Sequence, residues 1–535
     1  MVSPLLHLSE GLSPLSSELT KTIFKHLSKH YGGLQAGILT MLSFTVKASD
    51  MLWLKLKTVK VHGGLAPMLS SLHICLVYEN ESQVKLFLRD WREENRGCAI
   101  KQYALSFIVS LPFFTHGVES LNLTITSHSG HFATPEVVPW TTLGLILGSI
   151  ISAMIYSYAV DTWGRKFGIY VVVLLQGASC IPLLIPPNDI AYIILHVLSG
   201  ISTAGLFICI PVYVREISDV KCRGAMMSLM VLMTTAGYLV RLGMDVDSRL
   251  YLIAGLVMAQ FVSLFMIVES PTYLVKVGKF EAAKKCLGKL KCLSANDTHI
   301  VNQILLLKEE SERAKPNGAL RFYQIFKNQI WRDEMKIGVM LFTTIILSGC
   351  IIFFDQEKIL IQLKTSTDPD RILVPICLFV GAFVCVILVR VFERKYLLTF
   401  AFSVMVLSMG TLAVFTQADL TVTSLRWLPI AALGVLVFGY GVAWGLPTVI
   451  LVEMLNLEIR TRVLGAIYTY SQILRLAHVY TFKYIEDYMG IYTLLYIFAC
   501  INLFGAVYTI SNIPDIKGKS VKQIERQLKK IPIIK

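Results

Sequence analysis

Twelve apolar blocks of about twenty residues recur along this 535-residue chain, and few folds can house them. A helix of about twenty residues rises about 30 Å, the thickness of a bilayer's hydrocarbon core. The blocks lie near 102–121, 140–160, 168–187, 190–211, 224–243 and 249–268, then near 337–354, 372–392, 396–416, 427–452, 463–484 and 489–512. A polar stretch to about 335 divides them into two sets of six. Hydrophobic residues make up 54% of the chain and charged residues 16%, against roughly a quarter charged in globular proteins, so most of the chain cannot face water. The expected fold is an all-α membrane protein of twelve transmembrane helices in two six-helix bundles.

Lys and Arg set the orientation. None occurs between Lys101 and Arg165, after which Arg165 and Lys166 follow the second block directly. Further basic clusters recur after blocks four, eight and ten: Arg215, Lys221 and Arg223; Arg390, Arg394 and Lys395; Arg460 and Arg462. By the positive-inside rule these loops and both termini are cytoplasmic. Arg241, Arg249, Lys358, Lys364 and Arg371 are exceptions on the opposite side. The net charge of +14 is mostly this bias, so no nucleic-acid partner is expected. The divisions are a cytoplasmic extension over 1–100, a bundle over 101–268, linker helices over 269–335, a second bundle over 336–512 and a tail over 513–535.

Asn122-Leu123-Thr124 falls in the first outside loop and is the expected glycosylation site. The eleven cysteines show no CxxC pair, so they read as packed thiols and no metal is expected. The opening residues lack a basic start followed by a clean apolar stretch, so no cleaved signal peptide is expected.

The motifs narrow the reading. Asp161-Thr162-Trp163-Gly164-Arg165-Lys166 packs an acid, a turn-forming Gly and two basic residues into one tight loop. Block four ends in Pro211-Val212-Tyr213-Val214-Arg215-Glu216, with Arg223-Gly224 opening block five. Glu269-Ser270-Pro271-Thr272-Tyr273-Leu274 follows block six, and Pro514-Asp515-Ile516-Lys517-Gly518 follows block twelve. Four such landmarks in this order resemble the sugar porter family of the major facilitator superfamily, over about residues 100 to 530.

An internal repeat accompanies them: Glu216 precedes Arg223 by the spacing at which Glu453 precedes Arg460. The resemblance implies a cytoplasmic latch built from Asp161, Gly164, Arg165, Lys166, Glu216, Arg223, Glu269, Arg390, Arg394, Glu453 and Arg460. Glu216 would join Arg165, and Glu453 would join Arg390 or Arg394. Treated as exposed pairs, each contributes only about 0–1 kcal/mol, which suits a latch that opens in every cycle.

Departures from the family fall on the solute site. Where the resemblance places sugar-binding Gln, Asn and Trp, this chain has Val231, Ile345, Ile346, Ile351, Thr448 and Ser471, together with Arg475. The candidates that remain to line the cavity are His116, Thr234, Thr235, Trp444, Thr448, Ser471, Gln472 and Arg475. Span one has Thr115 where proton-coupled relatives carry Asp, so passive movement is expected, although His116 and Glu119 stand nearby.

The resemblance implies alternating access in a plasma-membrane protein. Its partners would be a small sugar such as a hexose or trehalose and the lipid bilayer, and the chain is expected to be monomeric. The chain has no phosphate-binding Gly-x-x-x-x-Gly-Lys loop and no nucleophile-base pair, so neither ATP, a cofactor nor enzyme chemistry is expected. Two other readings stay open: transport of an anionic solute held by Arg475, and a sensor that keeps the fold without transport.

Overall fold

The computed structural model describes residues 96–119, 138–181, 189–244, 246–314, 322–349, 368–418 and 427–529. Among them no strand occurs. Residues 1–95 of the extension expected over 1–100, Asn122 and Ile351 lie outside the described residues, while 96–100 open the first helix.

Six helices form the first set: α1 (Arg96–Glu119), α2 (Val138–Trp163), α3 (Arg165–Ser179), α4 (Asp189–Ile217), α5 (Arg223–Leu242) and α6 (Val246–Leu264). Short helices follow: α7 (Pro271–Lys276), α8 (Phe280–Lys291), α9 (Thr298–Ala314) and α10 (Phe322–Lys327). The second set comprises α11 (Gln329–Ile346), α12 (Asp368–Val391), α13 (Arg394–Ala418), α14 (Trp427–Ala443), α15 (Leu446–Met454), α16 (Arg460–Met489) and α17 (Ile491–Asn512), before a tail helix α18 (Val521–Leu528). Each expected block coincides with one of these helices, the tenth with two of them. Among the described residues, seven spans, counting α14 and α15 together, are long and apolar enough to cross a membrane by length and composition alone.

The tenth block reads as one helix in the sequence, yet it breaks between Ala443 and Leu446. Pro447 causes this. It has no N–H to give to the carbonyl of Ala443, and its ring would press on that carbonyl if the helix continued. Pro447 therefore sits in the first turn of α15, where no donor is needed, and Trp444 stands at the break.

Packing repeats between the sets. In the first, α1 packs on α5, α2 on α4, and α3 on α6; in the second, α11 packs on α16, α12 on α14, and α13 on α17. The two most extensive contacts between the sets, α2 with α16 and α5 with α12, are such that exchanging the halves converts one into the other. The α2–α4 crossing is very close, because a Cβ on Gly200 would fall 2.1 Å from the Leu145 carbonyl oxygen and one on Gly148 2.8 Å from that of Val197. Small residues allow this approach where lipid-like surroundings provide no hydrophobic drive between helices.

Beyond the second set, α18 opens on a capping box of Ser520 and Gln523 and packs Ile524 and Leu528 against the bundle. Lys395 pairs with Asp515, and the Lys517 ammonium donates to the Val391 carbonyl at 2.7 Å. Burial, helped by neighbouring Asp515, pushes the Glu393 carboxyl up; Asp515 is held low by Lys395 and Lys519 although its own partial burial works the other way.

The raised group favours the docked tail when protonated, so docking tightens as pH falls through the Glu393 value. The depressed group releases it only when pH falls through the Asp515 value, beneath the ordinary aspartate range. A spin label at Lys522→Cys is expected to lose mobility on mild acidification and regain it only in strong acid. Mobility that rises from neutral pH downward would contradict this assignment.

Candidate functional site

The loop motif forms a turn in which Gly164 takes a φ of 106°, a left-handed value that side chains resist. A Cβ there would also meet the Glu269 carboxylate at 2.7 Å. That carboxylate accepts the backbone N–H groups of Arg165 and Lys166 at 3.1 and 3.2 Å, the first amides of α3, which otherwise have no acceptor. Glu269 thus caps a helix from 104 residues away. The Lys166 ammonium lies over the Tyr170 ring and the Arg165 guanidinium over Tyr273.

Glu216 is the hub. Arg165 donates to both of its oxygens, Nε to Oε2 at 3.0 Å and Nη2 to Oε1 at 3.2 Å. From the other half Arg460 Nη1 donates to Oε1 at 3.3 Å, and Ser270 donates to Oε2. Arg165 and Glu216 side chains are both 0% exposed and Arg460 is 1% exposed. The latch is therefore not the set of exposed pairs expected from the sequence. Apolar packing of α2, α4 and α16 around the charges withdraws them from water, so the weak values of surface pairs do not apply.

Asp161 bridges halves as well, lying 3.6 Å from Arg165, 3.2 Å from Lys276 and 3.8 Å from Arg462. Ser157 donates to the Thr461 carbonyl across the same seam at 2.9 Å. In the second half Arg394 pairs with Glu453 at 3.0 Å, while Arg390 lies over the Tyr103 ring of α1. Arg223 donates to the Ser218 carbonyl, and Arg394 approaches Gly224 so closely that a Cβ would fall 2.6 Å from its Nη2.

Some members of this charge cluster escaped the sequence reading. Glu458, 2% exposed, receives Lys276 at 3.5 Å and the Ser311 hydroxyl at 2.8 Å, and Glu310 accepts the Leu457 amide at 3.3 Å. Helices α7 and α9 of the linker are thereby tied to the α15–α16 turn. Tyr213 donates to the Val268 carbonyl at 2.6 Å, anchoring the Glu269 segment to α4. The signal available was the pair of acids, Glu453 and Glu458, bracketing that turn.

The solute candidates separate into two groups. Thr234 and Thr235 are buried and donate to the Met230 and Leu232 carbonyls of their own helix; Ser471 donates likewise to Tyr468. Their hydroxyls are engaged within the protein. Trp444 stacks on Tyr238 of α5 and on Tyr440, with centroids 6.4 and 6.0 Å away. Thr448, one turn on, is partly exposed, and Gln472 is 5% exposed. His116 meets Thr203 at 3.4 Å and the edge of Phe207, which stacks on Tyr468 of the other half at 5.8 Å. Arg475 is exposed and follows Tyr468 by about two turns on the same face of α16.

A sequence profile of the sugar (and other) transporter family matches residues 109–528. The facilitated trehalose transporter Tret1 of Bombyx mori is 23% identical over 463 residues, covering 84% of this chain and 89% of that protein. The low-affinity glucose transporter HXT4 of Saccharomyces cerevisiae (strain JAY291) is 27% identical over 285 residues, covering 50% of this chain and 49% of that protein. Among solved structures, the proton:xylose symporter XylE bound to 6-bromo-6-deoxy-D-glucose superposes with a TM-score of 0.69 at 17% identity, over 81% of this chain and 100% of that one. The inward-open form of XylE from E. coli gives 0.57 at 18% identity, over 80% and 99%. With the paired helix sets and the ordered motifs, the profile match over most of its length means that this chain belongs to the sugar (and other) transporter family.

Proposed function

We propose that this multi-pass membrane protein moves a small hydroxylated solute of the sugar class by facilitated diffusion, the two bundles alternately exposing a site between them. The observation that carries this reading is the position of Glu216, buried between Arg165 of its own half and Arg460 of the other. A carboxylate shared in this way closes one end only while the halves are together, so it works as a gate rather than as a fixed brace. The end it closes carries the basic clusters, which we assign to the cytoplasm of a plasma-membrane protein with both termini inside. Above it stand Trp444, Thr448, Gln472 and His116, able to offer an aromatic face and a few polar groups to a solute.

Flux supplies the test. Purified protein in liposomes is expected to equilibrate labelled glucose or trehalose, without ATP and without accumulation against a gradient. Trp444→Ala removes the stacking surface and is expected to lower that flux about tenfold. Accumulation driven by a pH gradient would remove the passive part of the proposal. Absence of flux for neutral and charged solutes alike, with the fold intact, would leave the fold without transport.

A further inference from the structure

We propose that Arg475 makes the solute site a carboxylate receptor, so that the preferred cargo is a sugar acid rather than a neutral sugar; this rests on the transport reading above. Arg475 stands midway along the 30-residue helix α16. A guanidinium at that depth of a membrane is costly and persists where it meets a partner or a watered cavity. No described carboxylate pairs with it, and its side chain is exposed.

Its direction is fixed by its neighbours. Arg475 follows Tyr468 by seven residues in α16, so the two lie on one face of that helix. Tyr468, two turns nearer the closed end, stacks on Phe207 of α4. This face of α16 therefore looks across to the first half and not outward to lipid.

The remaining surface suits a neutral sugar poorly. Ile345 and Ile346 are buried apolar residues, while Thr234, Thr235 and Ser471 give their hydroxyl protons to backbone carbonyls. A sugar hydroxyl enclosed there without a partner is penalised. A carboxylate is matched instead: the planar guanidinium offers two parallel N–H donors to its two oxygens, and the charge otherwise has no described partner.

D-glucuronate and D-glucose form a suitable probe pair, since they share a pyranose ring and differ in a carboxylate. Binding to the full chain in detergent and flux in liposomes are measured for both, in wild type, Arg475→Gln and Arg475→Lys. Glucuronate is expected to bind at least about tenfold more tightly than glucose, and Arg475→Gln to remove that preference. Arg475→Lys should restore part of it, and melting temperatures should not move. Uptake of glucuronate, but not of glucose, should slow when the liposome interior is made negative.

Glucuronate binding that is unchanged in Arg475→Gln would overturn the proposal. Glucose binding and flux without glucuronate binding would also overturn it and leave the transport reading standing. Arg475-dependent binding of glucuronate with no flux of either solute would support the receptor and defeat the transport reading. Folded protein that binds neither probe would overturn the receptor.

Discussion

Glu216→Gln is expected to shift the protein away from its closed arrangement by about 3 kcal/mol, the low end of the cost of breaking a buried ion pair. The variant keeps the shape of the hub and one acceptor oxygen but removes the charge facing two buried guanidiniums, Arg165 and Arg460. Asp161, 3.6 Å from Arg165, compensates little on the Arg460 side. The two cations then repel one another, and separating the halves lets water reach both. A shift of that size changes the ratio of open to closed forms by about a hundredfold or more.

Ser157→Cys provides the readout, because Ser157 is 2% exposed and faces Thr461 across the seam. Its labelling by a membrane-impermeant thiol reagent supplied to that end is expected to accelerate about a hundredfold when Glu216→Gln is added. An unchanged labelling rate in a folded double variant would remove Glu216 from the gate. Lower melting without faster labelling would make it a brace within the first bundle only.

The buried charge cluster shows how far sequence reasoning reaches. Asp161, Arg165, Glu216, Glu269 and Arg460 stand out in the sequence because charges and a Gly cluster between apolar blocks, and the structure brings all of them together. Their burial was not legible, since it depends on how α2, α4 and α16 close around them. The choice of Arg394 over Arg390 as partner of Glu453 follows from helix phase: Arg390 ends α12 facing Tyr103, while Arg394 opens α13 facing α15.

The solute site was less legible for a related reason. In a helix apolar on all sides, hydropathy cannot tell a cavity face from a packed one, so Thr234 and Thr235 looked equivalent to Thr448. Only three-dimensional packing separates the engaged hydroxyls from the partly exposed one. The break at Trp444 had its signal in Gly445 and Pro447, but composition over the whole block, which still satisfies a single 28-residue span, outweighed it.

Gly200→Ala is expected to destabilise the fold by about 3 kcal/mol, while Gly410→Ala in another spanning helix stabilises it by up to about 1 kcal/mol. The two glycines share a residue type and a helical backbone but not their surroundings. A Cβ on Gly200 would stand 2.1 Å from the Leu145 carbonyl oxygen, whereas one on Gly410 would meet nothing within 4 Å. A side chain in the way can turn aside, but a backbone carbonyl held in a helix cannot. Helices α2 and α4 must separate, and the separation opens their packing along the crossing on both sides of the contact. At Gly410 the added methyl only restricts the unfolded chain and shields the helix backbone. Melting midpoints in detergent distinguish the two variants from each other and from wild type. Equal midpoints for Gly200→Ala and wild type would mean that the α2–α4 crossing is looser than this packing requires, and that α2 is free to move against α4 during the cycle.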